Sequence, residues 1–220
     1  MEDFDAEKLL NTPIEAFDFS VMIGDVLDLL EFAEENLSKQ YQAALEALAR
    51  HDLSGSPSEY KDSLEANLNH RFQTSLPLQL RYGALIGFVT TVEWAALRLN
   101  EAAITPAPTK AKKDNESAHL LRHFTREAGI DAEHMLQNYE ALVHVRNCIA
   151  HRAGLHATYK HGESLCNEIK RLSGIYFGNW HFLGDQICIE RGALTPYMHQ
   201  MADFLPKLHA SLRAKSMLTD

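Results

Sequence analysis

Cysteine is scarce in this 220-residue sequence: Cys148, Cys166 and Cys188 stand far apart, and no CxxC pair occurs. That spacing argues against a disulfide framework and a cysteine-built zinc site, and predicts small buried apolar thiols in a reducing compartment. Long hydrophobic runs are missing too. The best candidate, residues 83–97, is interrupted by Thr90, Thr91 and Glu93, so it falls short of the roughly eighteen apolar residues that a membrane span requires. The opening MEDFDAEKLL is acidic, whereas a secretory leader begins with positive charge ahead of an apolar stretch. The expectation is a soluble, cytoplasmic protein with no membrane partner. No GxGxxG, P-loop, HExxH or GxSxG pattern is present, which leaves nucleotide-fold, zinc-protease and hydrolase readings without support, and no internal repeat is visible.

Positive charge is lacking in one part of the chain only. Residues 1–66 hold 16 acids and 4 bases, whereas the remaining 154 residues hold 14 acids and 17 bases, within an overall net charge of −9. A phosphate-bearing partner is therefore compatible with the later two thirds, and the acidic first third reads as a solvated helix face.

Apolar residues recur at helical spacing almost throughout. Val21, Val26, Leu29, Leu30, Leu37, Tyr41, Leu45 and Leu48 predict one long helix, or two with a break, between Phe17 and His51. Turn formers over 52–58 follow, with Ser56 or Ser58 as candidate cap, and Pro77 is placed to open an apolar helix over about 78–103. The stretch 105–115, with two prolines and three lysines, predicts an exposed mobile loop. Helices are expected over 116–128, 132–153, 158–172 and 193–215, and Trp180 to Ile189 reads as a β-hairpin turning at Gly184-Asp185. The fold class is all-α, a helical bundle with a small β-hairpin near the C-terminus. An acidic N-terminal helical segment, 1–76, precedes a helical domain, 77–220.

The helix over 132–153 ends in VHVRNCIAHRAG, in which Arg146-Asn147 is followed by His151. Arg, then four to six residues, then His would arise by chance about twice in a chain of this composition. Requiring Asn directly after Arg and one fixed spacing lowers the chance expectation to roughly 0.03. The stricter pattern is therefore informative. Its chemistry is coherent: imidazole titrates near neutrality and can take or give a proton. Guanidinium stays charged and forks onto phosphate oxygens. Val145, Ile149 and Ala150 are available to face a core.

With this RNxxxH segment the chain resembles the HEPN superfamily, over roughly residues 78–215 in helix order, and the motif is the specific part of the likeness. The resemblance implies a HEPN-like bundle and a homodimer whose two motifs line one cleft. It also implies metal-independent endoribonuclease activity, without a cofactor, leaving a 2′,3′-cyclic phosphate and a 5′-hydroxyl. Carried over, His151 acts in acid–base chemistry, Arg146 holds the scissile phosphate, Asn147 orients the site, and Glu93 is the candidate acid supporting the Arg. A role as toxin or phage-defence effector, with an antitoxin or other partner protein, follows by the same analogy. One toxin branch carries a modifiable tyrosine two residues after the motif His; here that residue is Ala153, which counts against that regulation.

On an ideal helix Asn147 and His151 share a face, whereas Arg146 and His151 lie about 140° apart. A π-bulge, a fraying end at Gly154 or a second protomer would each close the gap. Candidate RNA contacts are Arg152, Lys160, Arg122 and Arg126, with Lys110, Lys112 and Lys113 as a basic stretch and Tyr159 and His161 beside the motif. His119 and His123, four apart, have metal-ligand spacing without a third ligand, and a solvated pair is the plainer reading. Two alternatives stand beside the nuclease. One is a non-catalytic HEPN-like interaction module binding a partner through the acidic helices; the other is a plain bundle in which Arg146 and Asn147 cap or bridge helices.

Overall fold

The computed structural model describes residues 16–50, 57–109, 115–181 and 184–219. The chain is mostly helical: α1 (Ala16–Arg50), α2 (Ser58–Asn69), a π-helical turn (His70–Ser75), α3 (Leu76–Ala102), α4 (Glu116–Ala128), α5 (Glu133–Arg152), a 3₁₀ turn (His156–Thr158), α6 (Gly162–Ile169), β1 (Ile175–His181), β2 (Gly184–Ile189) and α7 (Thr195–Ala214). The expected class, all-α with a small hairpin, is the one observed. No described helix is long and apolar enough to cross a membrane.

Boundaries differ where local chemistry was misread. Pro77 does not open a helix. It lies one residue inside α3, and helix runs unbroken from Ser58 to Ala102 through the π-helical turn. Proline removes the bond to the carbonyl four residues back and crowds it. A wider turn just before Pro77, in which the Leu76 N–H bonds the Arg71 carbonyl, absorbs that conflict without a break. The boundary drawn at 76/77 thus falls within continuous helix. Pro57, rather than a serine, precedes α2, with no side-chain cap bond. The helix expected over 158–172 is reduced to the 3₁₀ turn and α6. The hairpin begins earlier than expected, because Ile175, Tyr176 and Phe177 pair antiparallel with Ile189, Cys188 and Ile187. Gly184 and Asp185 therefore lie in β2 and not in the turn. Within the loop expected over 105–115, Lys110, Lys112 and Lys113 lie outside the described residues.

Backbone packing divides the described residues into two compact units. The first comprises 16–25, 88–143 and 195–219. Here α4 turns Ala118, Leu121, Phe124 and Thr125 inward and packs on α7, which contributes Met198, Met201, Leu205, Leu208 and Leu212. Both ends of α4 are capped: Asn115 accepts the Ala118 N–H at 2.9 Å, and Gly129 (φ 73°) closes the C-terminus. Pro206 lies inside α7 and cannot bond the Ala202 carbonyl; the Ser20 hydroxyl donates to that carbonyl instead, at 2.8 Å.

The second unit, 26–87 and 144–194, contains the motif. Its core holds Leu85, Val145, Cys148, Leu165 and Ile187, all at 0% exposure. Glu34, buried, accepts from Arg81 Nε at 2.5 Å and lies 3.2 Å from Arg191 Nε, while Arg81 Nη1 donates to the Ile189 carbonyl at 2.8 Å. This triad fastens the end of β2 to α1 and α3. A second fastening lies at the next residue of α3, where the Tyr82 hydroxyl donates to the Ile187 carbonyl and the Ile187 N–H donates to the Gly154 carbonyl at 2.9 Å.

Candidate active site

The last turns of α5 bury Val145, Cys148 and Ile149 and leave His151 exposed. Ala150, expected to face a core, is exposed as well, because it sits about 100° round the helix from Ile149. The helix stops at Arg152. Ala153 takes φ 51°, which costs a non-glycine residue about 1 kcal/mol. The Ala153 carbonyl accepts from Gln186 Nε2 at 2.9 Å, so β2 holds the strained residue in place. Gly154 follows at φ 79° against the Tyr82 ring, at a distance no side chain could share. The chain then folds back through the 3₁₀ turn, tied by Tyr159 N–H to His156 O (3.0 Å) and Gly162 N–H to Tyr159 O (3.2 Å).

That reversal brings the loop against the end of α5. Asn147, His151 and Arg152 from the helix and Tyr159, Lys160 and His161 from the loop line an open groove of about 330 Å³. The lining comprises two cations, two imidazoles, an amide and a phenol, all capable of donating hydrogen bonds, and no carboxylate. Tyr159 and His161 rings lie 5.8 Å apart, edge to face. Burial raises the Tyr159 pKa above its ordinary value, helped by the neighbouring Cys148 and Glu168, while the Arg146 charge works the other way. The phenol therefore stays protonated at neutral pH. Arg146 itself is half-buried with Nε inside, and its field reaches the groove through Tyr159. Because α5 is α-helical through Arg152, no π-bulge brings Arg146 round to His151.

Of the sequence candidates, Asn147, His151, Arg152 and Lys160 are thus brought together, and Arg146 adjoins them on α5. Glu93, Arg122 and Arg126 belong to the first unit. Glu93 is half-buried on α3, and the nearby Arg98 pairs with Glu101 at 2.8 Å. Arg122 is engaged with Glu140 at 2.7 Å, with Glu133 at 3.8 Å, whereas Arg126 is exposed. The His119 Nε2 donates to the Pro108 carbonyl at 2.8 Å, and no three His, Cys, Asp or Glu residues converge among the described residues.

Two further side-chain pairs join α6 to α5 and to the 3₁₀ turn. His144 Nδ1 bonds Glu168, whose other oxygen accepts from Ser164 at 3.0 Å. His144 precedes Asn147 by three residues and His151 by seven, so the helical period alone places it on their face. Cys166 Sγ lies 3.1 Å from His156 Nε2, a pairing with no sequence signal. Cys166 is half-buried, unlike the expected buried thiol, because Leu165 and Ile169 occupy the inward side of α6. Cys148 fits the expectation: burial pushes its thiol up to about 11.

Compared with protein-family models, with curated proteins and with solved structures, the chain has no match in any of the three.

Proposed function

We propose that the protein is a HEPN-type, metal-independent endoribonuclease acting as a homodimer in the cytoplasm, as a toxin or phage-defence effector. The observation that carries this reading is the composition of the groove: a chain of net charge −9 gathers Arg152, Lys160, His151 and His161 around one opening without an acid. Such a lining suits a phosphodiester. In the proposed step the ribose 2′-oxygen attacks phosphorus, an imidazole takes the 2′-hydroxyl proton, and the bond to the 5′-oxygen breaks as that oxygen receives a proton. The products are a 2′,3′-cyclic phosphate and a 5′-hydroxyl. His151 is one imidazole; the other is the His151 of a second copy or His161 of the same groove. Asn147, four residues from His151, orients the phosphate. Arg146, turned about 140° away on its helix, serves best in a composite site to which two copies contribute.

Purified protein incubated with end-labelled RNA in EDTA tests this. His151→Ala and Arg146→Ala should each lower cleavage by about 10²-fold or more, with unchanged circular dichroism and loss of any growth toxicity. Cleavage at the parental rate by both variants, or none by the parent, defeats the reading. A second reading, a non-catalytic interaction module, draws on the half-burial of Arg146.

A further inference from the structure

Helix α1 is apolar on two opposite sides. Leu27, Leu30 and Glu34 are buried, and Glu34 pairs with Arg81 of the same unit. Leu29 and Phe32 point nearly the opposite way, about 160° round the axis, and are 67% and 66% exposed. A helix hydrophobic on both sides is built to be covered on both.

The borders of this outward face say what covers it. Asp28, Glu31 and Glu35 are exposed, follow each other at intervals of three and four residues, and form a ridge along one edge. They take part in no ion pair among the described residues. From residue 16 to residue 38 the sequence holds six acids and no base. The segment 1–15 carries five acids and one base, so it is repelled from this ridge, and residues 16–38 of a second copy bring six more acids and no base to pair them. RNA and anionic membrane surfaces are repelled in the same way.

We infer that the Leu29–Phe32 face of α1 with its Asp28–Glu31–Glu35 border docks an amphipathic helix of a partner protein that carries Lys or Arg along one edge of its apolar stripe. The partner's apolar side chains fill the ridge between Leu29 and Phe32, and its cations meet the carboxylates, which sets direction and register. The inference uses no groove residue and is independent of the nuclease reading.

The test uses the full chain and a fluorescein-labelled leucine–lysine peptide of about five helical turns, followed by fluorescence anisotropy. A scrambled peptide of the same composition, lacking the stripe, should bind about tenfold more weakly, and so should the amphipathic peptide to Leu29→Ser/Phe32→Ser. Asp28→Asn/Glu31→Gln/Glu35→Gln should remove most of the salt dependence. Circular dichroism reports whether the variants fold, which these exposed positions should permit. Equal binding of the two peptides, or of parent and Leu29→Ser/Phe32→Ser, overturns the inference. So does a dimer by light scattering that Leu29→Ser/Phe32→Ser dissociates, since a second copy would then be the occupant. Tighter peptide binding by Leu9→Ser/Leu10→Ser overturns it as well, because the chain's own N-terminal segment would then occupy the face.

Discussion

Gly154→Ala should destabilise the protein by about 2–4 kcal/mol, and the sum has two separable parts. Gly154 has φ 79°, a conformation that costs an alanine about 1 kcal/mol. A Cβ there would also overlap the Tyr82 hydroxyl and come within 3.1 Å of the ring Cζ. Tyr82 is 4% exposed and its hydroxyl serves the Ile187 carbonyl. It therefore cannot swing aside without leaving that buried carbonyl unsatisfied, a loss of about 1–3 kcal/mol. Tyr82→Phe alone should cost about 1–2 kcal/mol for the same bond. In the double variant the missing hydroxyl makes room for the new methyl, so the combined loss should fall short of the sum by about 1 kcal/mol. Urea unfolding followed by circular dichroism measures all three variants. Costs that add to within about 0.5 kcal/mol would show that the two side chains do not compete for that space, and the account of how α5 is terminated would be wrong.

Other outcomes follow from the same contacts. Ser20→Ala should cost about 1–2 kcal/mol by urea unfolding, because the Ala202 carbonyl that Pro206 cannot bond loses its donor; Pro206→Ala in the same background should recover most of the loss by restoring a backbone N–H. Cys148 has its pKa raised from 9.0 to about 11 by burial. A raised folded pKa stabilises the protonated form, so that contribution is intact below pH 9 and disappears between pH 9 and about 11, amounting to about 3 kcal/mol. Cys148→Ala should flatten the decline of the urea midpoint over that window, and an identical decline would count against the burial argument. Arg152→Ala and Lys160→Ala should each weaken RNA binding and reduce the salt slope of log K by roughly one, whereas Arg126→Ala should change neither. Filter binding across a salt series decides this, and an equal loss from Arg126→Ala would place the RNA elsewhere.

What could be read from the sequence depended on whether its signal was local. The expected helix 116–128 coincides with α4, because its ends are set by the Asn115 and Gly129 caps, which need no distant partner. Pro77 misled because its effect is set by the turn before it. A proline opens a helix or sits within one according to whether the preceding backbone can widen, and nothing in HRFQTS states that it does. The site divides the same way. Asn147 and His151 share a face by periodicity alone, and so does His144, whose carboxylate partner Glu168 is 24 residues away and carries no local mark. Lys160 and His161 reach the groove only because the chain reverses after Gly154, and the reversal depends on Gln186 and Ile187 of β2, 33 residues beyond Ala153 and Gly154 respectively. The periodicity also carries a consequence for chemistry. With α5 unbroken through Arg152, the 3.6-residue turn holds Arg146 and His151 on different sides of one helix. In the proposed composite site these two side chains come from different copies, so mixing inactive His151→Ala with inactive Arg146→Ala protein should restore about a quarter of parental activity if random mixed dimers carry one intact composite site. No recovery from the mixture, with exchange of subunits verified by light scattering, would mean that each chain must act alone.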